Sequence, residues 1–174
     1  MKTIGLLSDT HGYFDEQIYK FFADVDEVWH AGDFGAVEVS QKLSEFKPLR
    51  GVFGNIDCQE IRHLHPLDAR FQCEGLDVLL THIGGYPGRY HPRIRKLIDQ
   101  DAPGLLICGH SHILRVERDK RRGLLHLNPG AAGNQGEHLV KTMMLLQISG
   151  GKVSKLHAVD LGPRGGSPRP SRGP

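Results

Sequence analysis

Short apolar runs alternate with amphipathic stretches through the first half of this chain. Thr3–Ser8, Glu27–His30 and Leu49–Phe53 have strand length, while Asp15–Phe22 and Val37–Phe46 carry apolar residues three and four positions apart, the helical period. Ile18, Phe21 and Phe22 mark the buried stripe of the first helix, and Val39, Leu43 and Phe46 that of the second. Further strands are predicted at Asp77–Leu80 and Leu105–Cys108, with a helix over Pro92–Ile98 between them, where proline suits the first turn. From Ile113 the pattern changes to hairpins: Ile113–Glu117 against Leu124–Leu127, then Met143–Ile148 against Lys152–Val159 through Ser149-Gly150-Gly151. This alternation predicts an α/β fold with a mainly β C-terminal part.

No linker or internal repeat interrupts residues 1–161, which are expected to form one domain large enough to bury a core without disulfides. Met143, Met144, Leu145 and Leu146 are expected to fill that core from a late strand. Residues 162–174 contain only Gly, Pro, Ser and Arg, and are expected to be a disordered tail.

With 22 basic and 20 acidic side chains the net charge is +2, so nucleic acid is not indicated as a partner. Arg115, Arg118, Lys120, Arg121 and Arg122 are interrupted by Glu117 and Asp119, which favours a solvated hairpin tip over a phosphate-backbone patch. Cys58, Cys73 and Cys108 form no CxxC spacing and read as reduced thiols. The apolar run after Met1 is broken by Asp9 and His11 before it could span a membrane or complete a signal peptide. A soluble cytoplasmic protein without a membrane partner is therefore expected, with homo-oligomerisation left open.

The 11 histidines change the picture, because several stand, with aspartates, just beyond the apolar strands. Asp9 and His11 follow IGLL, Asp33 follows EVWHAG, Asn55 follows RGVFG, His82 follows VLLT, and His110 and His112 follow LLICG. Strand ends are where open α/β sheets bind ligands. Gly32, Gly54 and Gly109 each precede one of these residues and are expected to permit a sharp turn across the sheet edge. Carboxylate, imidazole and amide donors without thiolate suit borderline divalent ions such as manganese, iron, zinc or nickel, and donor type does not choose among them. Seven ligands exceed one tetrahedral site but serve two ions sharing a carboxylate, for which Asp33 is the candidate. Two such ions against Asp9 and Asp33 leave a formal charge of about +2, or about +1 with a hydroxide, which one phosphodiester charge neutralises.

The ordered motifs DTH (Asp9 to His11), GD (Gly32-Asp33), GNID (Gly54 to Asp57), TH (Thr81-His82) and GHSH (Gly109 to His112) resemble the calcineurin-like metallophosphoesterases, especially their small cap-free bacterial and archaeal phosphodiesterases. The resemblance implies a four-layer α/β/β/α sandwich of two mixed β-sheets flanked by helices. It also implies that Asp9, His11, Asp33 and His112 hold one ion while Asp33, Asn55, His82 and His110 hold the other. The implied chemistry is phosphate-ester hydrolysis by in-line attack of a metal-bridging hydroxide on a small substrate, with Asn55 also able to contact phosphate. Phosphomonoesterase or nuclease activity at the same centre, and a metal-binding interaction scaffold of the same fold, are the alternatives.

Ile56 departs from the family pattern, because many larger members have His after the Asn as a proposed general acid. His11 and Asp57 are the remaining candidates for leaving-group protonation. The loop from His82 to His91 also departs from the usual Gly-His after the ligand His. Its Tyr86, Arg89, Tyr90 and His91 could face substrate or form a solvated loop. His30 could orient a ligand or be a satisfied core histidine. Asn128-Pro129-Gly130-Ala131 could present backbone groups near the metals or be a plain turn.

Overall fold

The computed structural model describes residues 1–165. Two five-stranded mixed sheets face one another. In chain order the elements are β1 (Lys2–Leu7), α1 (Gln17–Phe21), β2 (Glu27–His30), α2 (Val37–Phe46), β3 (Leu49–Gly51), α3 (Gln59–Leu64), β4 (Asp68–Cys73) and β5 (Leu76–Thr81). They continue with β6 (Gly85–Tyr86), β7 (Arg89–Tyr90), α4 (Pro92–Gln100), β8 (Leu105–Ile107), β9 (Leu114–Asp119), β10 (Leu124–Pro129), β11 (Val140–Ser149) and β12 (Lys152–Pro163). The first sheet runs β12-β11-β1-β2-β3, the second β4-β5-β8-β10-β9, and β6-β7 is a separate hairpin.

Alternation along the strands builds the layers. Ile4, Leu6 and Trp29 of the first sheet meet Val78, Leu80, Ile107 and Leu127 of the second in the central core. The intervening Leu7 and Val28 point outward, onto Ile18, Val39, Leu43 and Ile61 of α1, α2 and α3. Leu79 and Leu106 face outward from the second sheet onto Ile94 and Ile98 of α4. Period-two strands with apolar residues on both faces therefore give four layers, α/β/β/α. Met143 and Met144, adjacent on β11, serve opposite layers, and both are fully buried.

Each sheet contains a parallel trio: β1-β2-β3 in the first and β5-β8-β10 in the second. Helical crossovers link β1 to β2, β2 to β3 and β5 to β8, whereas β8 reaches β10 through the antiparallel β9; the loops at the strands' C-terminal ends gather at one edge of the sandwich.

Several elements escaped the apolar pattern. In α3 the one fully buried residue is Ile61, too little for a periodic stripe. In β4, a sheet edge, Asp68, Arg70 and Gln72 alternate with Ala69, Phe71 and Cys73, and it joins β5 through Glu74 and Gly75, both at positive φ. A two-residue turn of that kind is signalled by Asn-Gly or Asp-Gly, and glutamate hides it. The expected tail also begins too early. Gly162 and Pro163 extend β12, paired with Lys141 and Val140, because β11 is long enough to template them. The remainder of that segment from residue 166 lies outside the described residues.

The basic tip is exposed at Arg118, Lys120 and Arg121. Arg122 differs: it pairs with Asp99 and the buried Asp119 and lies over the Tyr90 ring.

Candidate metal centre

The seven residues singled out at strand ends converge on one edge of the sandwich. Asp9 and His11 leave β1, Asp33 leaves β2 and Asn55 follows β3; His82 directly follows β5, and His110 and His112 follow β8. Asp9, His11 and His112 bring ligand atoms within 4.8 Å of one another, as do Asp33, His82 and His110.

Convergence is bought with backbone strain. Asp9, His11, Asp33, His110 and His112 all adopt left-handed φ, between 47° and 69°. Such a conformation brings Cβ against the carbonyl and costs about 1–2 kcal/mol per residue. The sharp departure from the sheet is thus made by the ligands themselves, with help from a positive φ at Gly32. Gly54 and Gly109, expected to supply that turn, serve close approach instead. A Cβ on Gly54 would collide with the Asp33 carboxylate, and one on Gly109 with the Ser8 hydroxyl.

Distances between donor atoms fit shared ions. An ion with bonds of about 2.1 Å separates neighbouring ligand atoms by roughly 3.0–3.4 Å in octahedral or tetrahedral geometry. His11 Nε2 lies 3.3 Å from His112 Nε2, which is 3.1 Å from Asp9 Oδ1. In the other group His82 Nε2 is 3.2 Å from Asp33 Oδ2 and 3.0 Å from Asn55 Oδ1, and His110 Nδ1 is 3.0 Å from the same amide oxygen. Asp33 Oδ2 is also 3.5 Å from His11 Nε2, so one carboxylate oxygen touches both groups.

Asp9 supplies a further test. Its Oδ2 accepts hydrogen bonds from Ser8 Oγ at 2.6 Å and from the His110 N–H at 3.0 Å. Its Oδ1 is buried, without a hydrogen-bond donor. A carboxylate oxygen left so at 0 % residue exposure is costly, and either a metal cation or a protonated imidazole such as His112, 3.1 Å away, satisfies it. No thiol joins this set: Cys108, nearest in sequence, turns to Gly85 O and His126, and burial pushes its pKa up to about 12.

Surrounding groups fix the candidate ligands. His82 Nδ1 contacts Ala31 O at 2.7 Å, which as an N–H···O bond turns Nε2 toward Asp33 as acceptor. Asp33 Oδ1 accepts the Ile56 N–H at 3.1 Å. His30 is fully buried and touches both strand-end loops, accepting the Gly32 N–H at Nδ1 and meeting Thr10 Oγ1 at Nε2. His30 is therefore a satisfied core histidine, whose bonds go to Gly32 and Thr10 beside the candidate ligands and not to the ligands themselves.

Charge couples the groups. Burial opposes ionisation of Asp9, yet contacts with His11 and His112 hold it well below the usual carboxylate range. The Asp9 contact raises His11 above an ordinary imidazole against its burial. Burial pulls His82 down, but Asp33 and the charge of Asp9 outweigh it and the net shift is upward. His110 is lowered by burial and by His82.

The remaining candidates are placed as follows. Asp57 turns its carboxylate into backbone, accepting N–H bonds from Gly35 and Gly54 at 2.8 Å each. Its observed contacts shape the Asn55 loop, which leaves it no visible part in proton donation. Tyr90 is buried and donates to Asp119, Tyr86 stacks beneath Arg115, and His91 caps α4, while Arg89 is exposed. Asn128 and Pro129 belong to β10, and it is the Asn128 side chain that acts, donating to Gly109 O and contacting Ser111 Oγ. Sequence reasoning missed His138, whose ring packs edge-on to His112 with centroids 5.1 Å apart. It sits between strands with no motif around it, so no spacing could have flagged it.

A model of the calcineurin-like phosphoesterase superfamily domain matches residues 1–151. A probable metallophosphoesterase of Methanothermobacter thermautotrophicus is 30 % identical over 160 residues, covering 86 % of this chain and 88 % of that protein. Among solved structures, a novel archaeal phosphodiesterase superposes with a TM-score of 0.73 at 20 % identity, covering 91 % of this chain and 99 % of the other. Vps29 of Entamoeba histolytica complexed with zinc superposes with a TM-score of 0.65 at 19 % identity, covering 91 % and 98 %. At these identities the structural likenesses speak for the fold.

Proposed function

Because this chain belongs to the calcineurin-like phosphoesterase superfamily, we propose that it is a metal-dependent phosphodiesterase with a dinuclear centre, acting on small diesters. The observation that carries the reading is Asp33 Oδ2, which touches His82 of one ligand group and His11 of the other. One ion would be held by Asp9, His11, His112 and Asp33, and a second by Asp33, Asn55, His82 and His110. When bound, two divalent ions supply Lewis-acid stabilisation of phosphoryl oxygens and make coordinated water acidic enough to attack phosphorus.

The chain's own residues set the conditions for that chemistry. Asp9 and Asp33 contribute the negative charge, leaving a formal excess of about +2 with two divalent ions, which attracts an anionic ester. Ser8 and the His110 N–H orient Asp9 so that its free oxygen faces the histidines. Ala31 O holds the His82 tautomer. Ile56 beside Asn55 has no proton to give, Asp57 is engaged by backbone, and His11 would spend its Nε2 lone pair on the ion, so solvent is left to protonate the leaving group. Esters with good leaving groups are the favoured substrates, since a missing general acid costs about two to four orders of magnitude. Nitrogen and oxygen donors suit manganese, and equally zinc, iron or nickel.

No helix among the described residues is long and apolar enough to cross a membrane, and Cys58, Cys73 and Cys108 are free thiols. The free thiols support placement in the cytoplasm.

Elemental analysis of the purified protein, followed by assays of a chromogenic diester and monoester with added manganese, tests the reading. The expected result is about two ions per chain, with the diester turned over faster and turnover lost in Asp33→Ala. Absence of metal and of metal-dependent turnover would overturn the enzyme reading; faster monoester turnover would overturn the diester preference.

A further inference from the structure

Beside Asn55 and His82 lies a groove of about 270 Å³ with a composition unlike the rest of the site. Its apolar walls are Phe53, Leu67 and Ile83, and its polar groups beyond the ligands are Arg62, His91 and Arg93; no acidic residue lines it. Leu67 is 46 % exposed, so part of the apolar wall is open to solvent.

The two arginines differ. Arg93 is neutralised: its guanidinium forks onto Asp68 and also reaches Thr81. Arg62 has no carboxylate partner among the described residues. Its Nε donates to Asp57 O at 2.8 Å and one terminal nitrogen to Asn55 O at 3.2 Å. Its guanidinium also lies 4.7 Å over the centre of the Phe53 ring. Two neutral acceptors and an aromatic face thus hold a cation in place without cancelling its charge, and the cost of ordering it is already met before any ligand arrives.

A second groove flanks the centre on the side of His110 and His112, and there the charged residue is Glu137. The two sides of the centre therefore favour different substituents.

We propose that the Arg62 groove is the subsite for the non-reacting substituent of the phosphate ester, and that Arg62 selects substituents that are apolar, planar and carry an anionic oxygen group of their own. This deepens the phosphoesterase reading and rests on it for the phosphate held at the neighbouring ligands. Phe53, Leu67 and Ile83 cover the planar part, and the free face of Arg62 receives the carboxylate or phosphate.

The test uses ligands that are not turned over, because their phosphorus is attached through carbon. Binding of benzylphosphonate, 3-carboxybenzylphosphonate and its 3-phosphonomethyl counterpart to the manganese-loaded protein is measured by calorimetry. The carboxylate and phosphonate arms are each expected to bind about tenfold tighter than the parent, and their order identifies which anion the subsite prefers. Arg62→Gln, which keeps a hydrogen-bond donor for Asn55 O or Asp57 O but no charge, should bring all three ligands to within about twofold of one another. Arg62→Lys should retain part of the preference, a result that local unfolding would not give. Equal binding of the three ligands by the native protein, no binding of any, or a preference that survives Arg62→Gln would overturn the subsite. Failure of the diester assay would instead count against the phosphoesterase reading, since no ligand here depends on turnover.

Discussion

The two sheets contribute unlike halves to the centre. The first supplies Asp9, Asp33 and Asn55 together with one imidazole, His11, whereas the second supplies only imidazoles, His82, His110 and His112. All formal negative charge thus comes from β1 and β2, and the other wall is neutral whenever its histidines are deprotonated. The first sheet thus keeps its two carboxylates from water with one imidazole, His11, beside them, and depends on the facing sheet to complete the site. The division also predicts which half fails first under each perturbation.

The largest effect is expected on the carboxylate side. Asp33→Ala removes the oxygen common to both groups and should lower turnover on the order of a thousandfold, with loss of both ions seen by elemental analysis. His82→Ala touches one group and should cost about a hundredfold, with the cooperative melting transition retained. Equal losses from the two variants would erase the distinction between the halves.

A smaller effect should follow from Gly54→Ala, which alters no ligand but drives a methyl group into the Asp33 carboxylate. Metal affinity, followed by competitive chelation, is expected to fall about 10–100-fold, as for a lost ligand support. Unchanged affinity would mean that the Asn55 loop shifts at little cost.

Acidification should act on the imidazoles. His11 and His82 are both raised in the metal-free protein, so each keeps its proton to a higher pH than an ordinary histidine. Metal binding must displace those protons, so affinity is full above the raised values and falls as pH drops through them. The loss should approach about tenfold per pH unit for each proton displaced. Asp9, held well below the usual carboxylate range, stays ionised throughout this window. A pH-independent affinity between neutrality and pH 5 would refute the coupling.

The converging residues were legible in the sequence because strands buried on both faces leave their polar residues only at the ends, so Asp9, Asp33 and His82 stand out against apolar runs. The apolar pattern gave only an α/β alternation and the motif resemblance implied the layers; the division of Val28-Trp29 and Val78-Leu79-Leu80 between two faces is the packing that builds them. Elements with little buried surface were not legible: α3 and β4 gain their structure from packing against the sheets. Arg62 and His138 were also hidden, because their roles depend on neighbours distant in sequence or on carbonyl groups that carry no side-chain signal. Nor could the left-handed backbone be read, since aspartate and histidine do not announce it as glycine would.

That backbone has a consequence for how such chains change over generations. Five positions of the candidate centre hold side chains where a residue without Cβ would sit more comfortably. Selection for the centre must therefore be continuous, because drift at these positions would reward the fold with added stability as it removed the chemistry. A lineage released from the need for metal could keep this sandwich, become sturdier, and retain its surfaces for other uses.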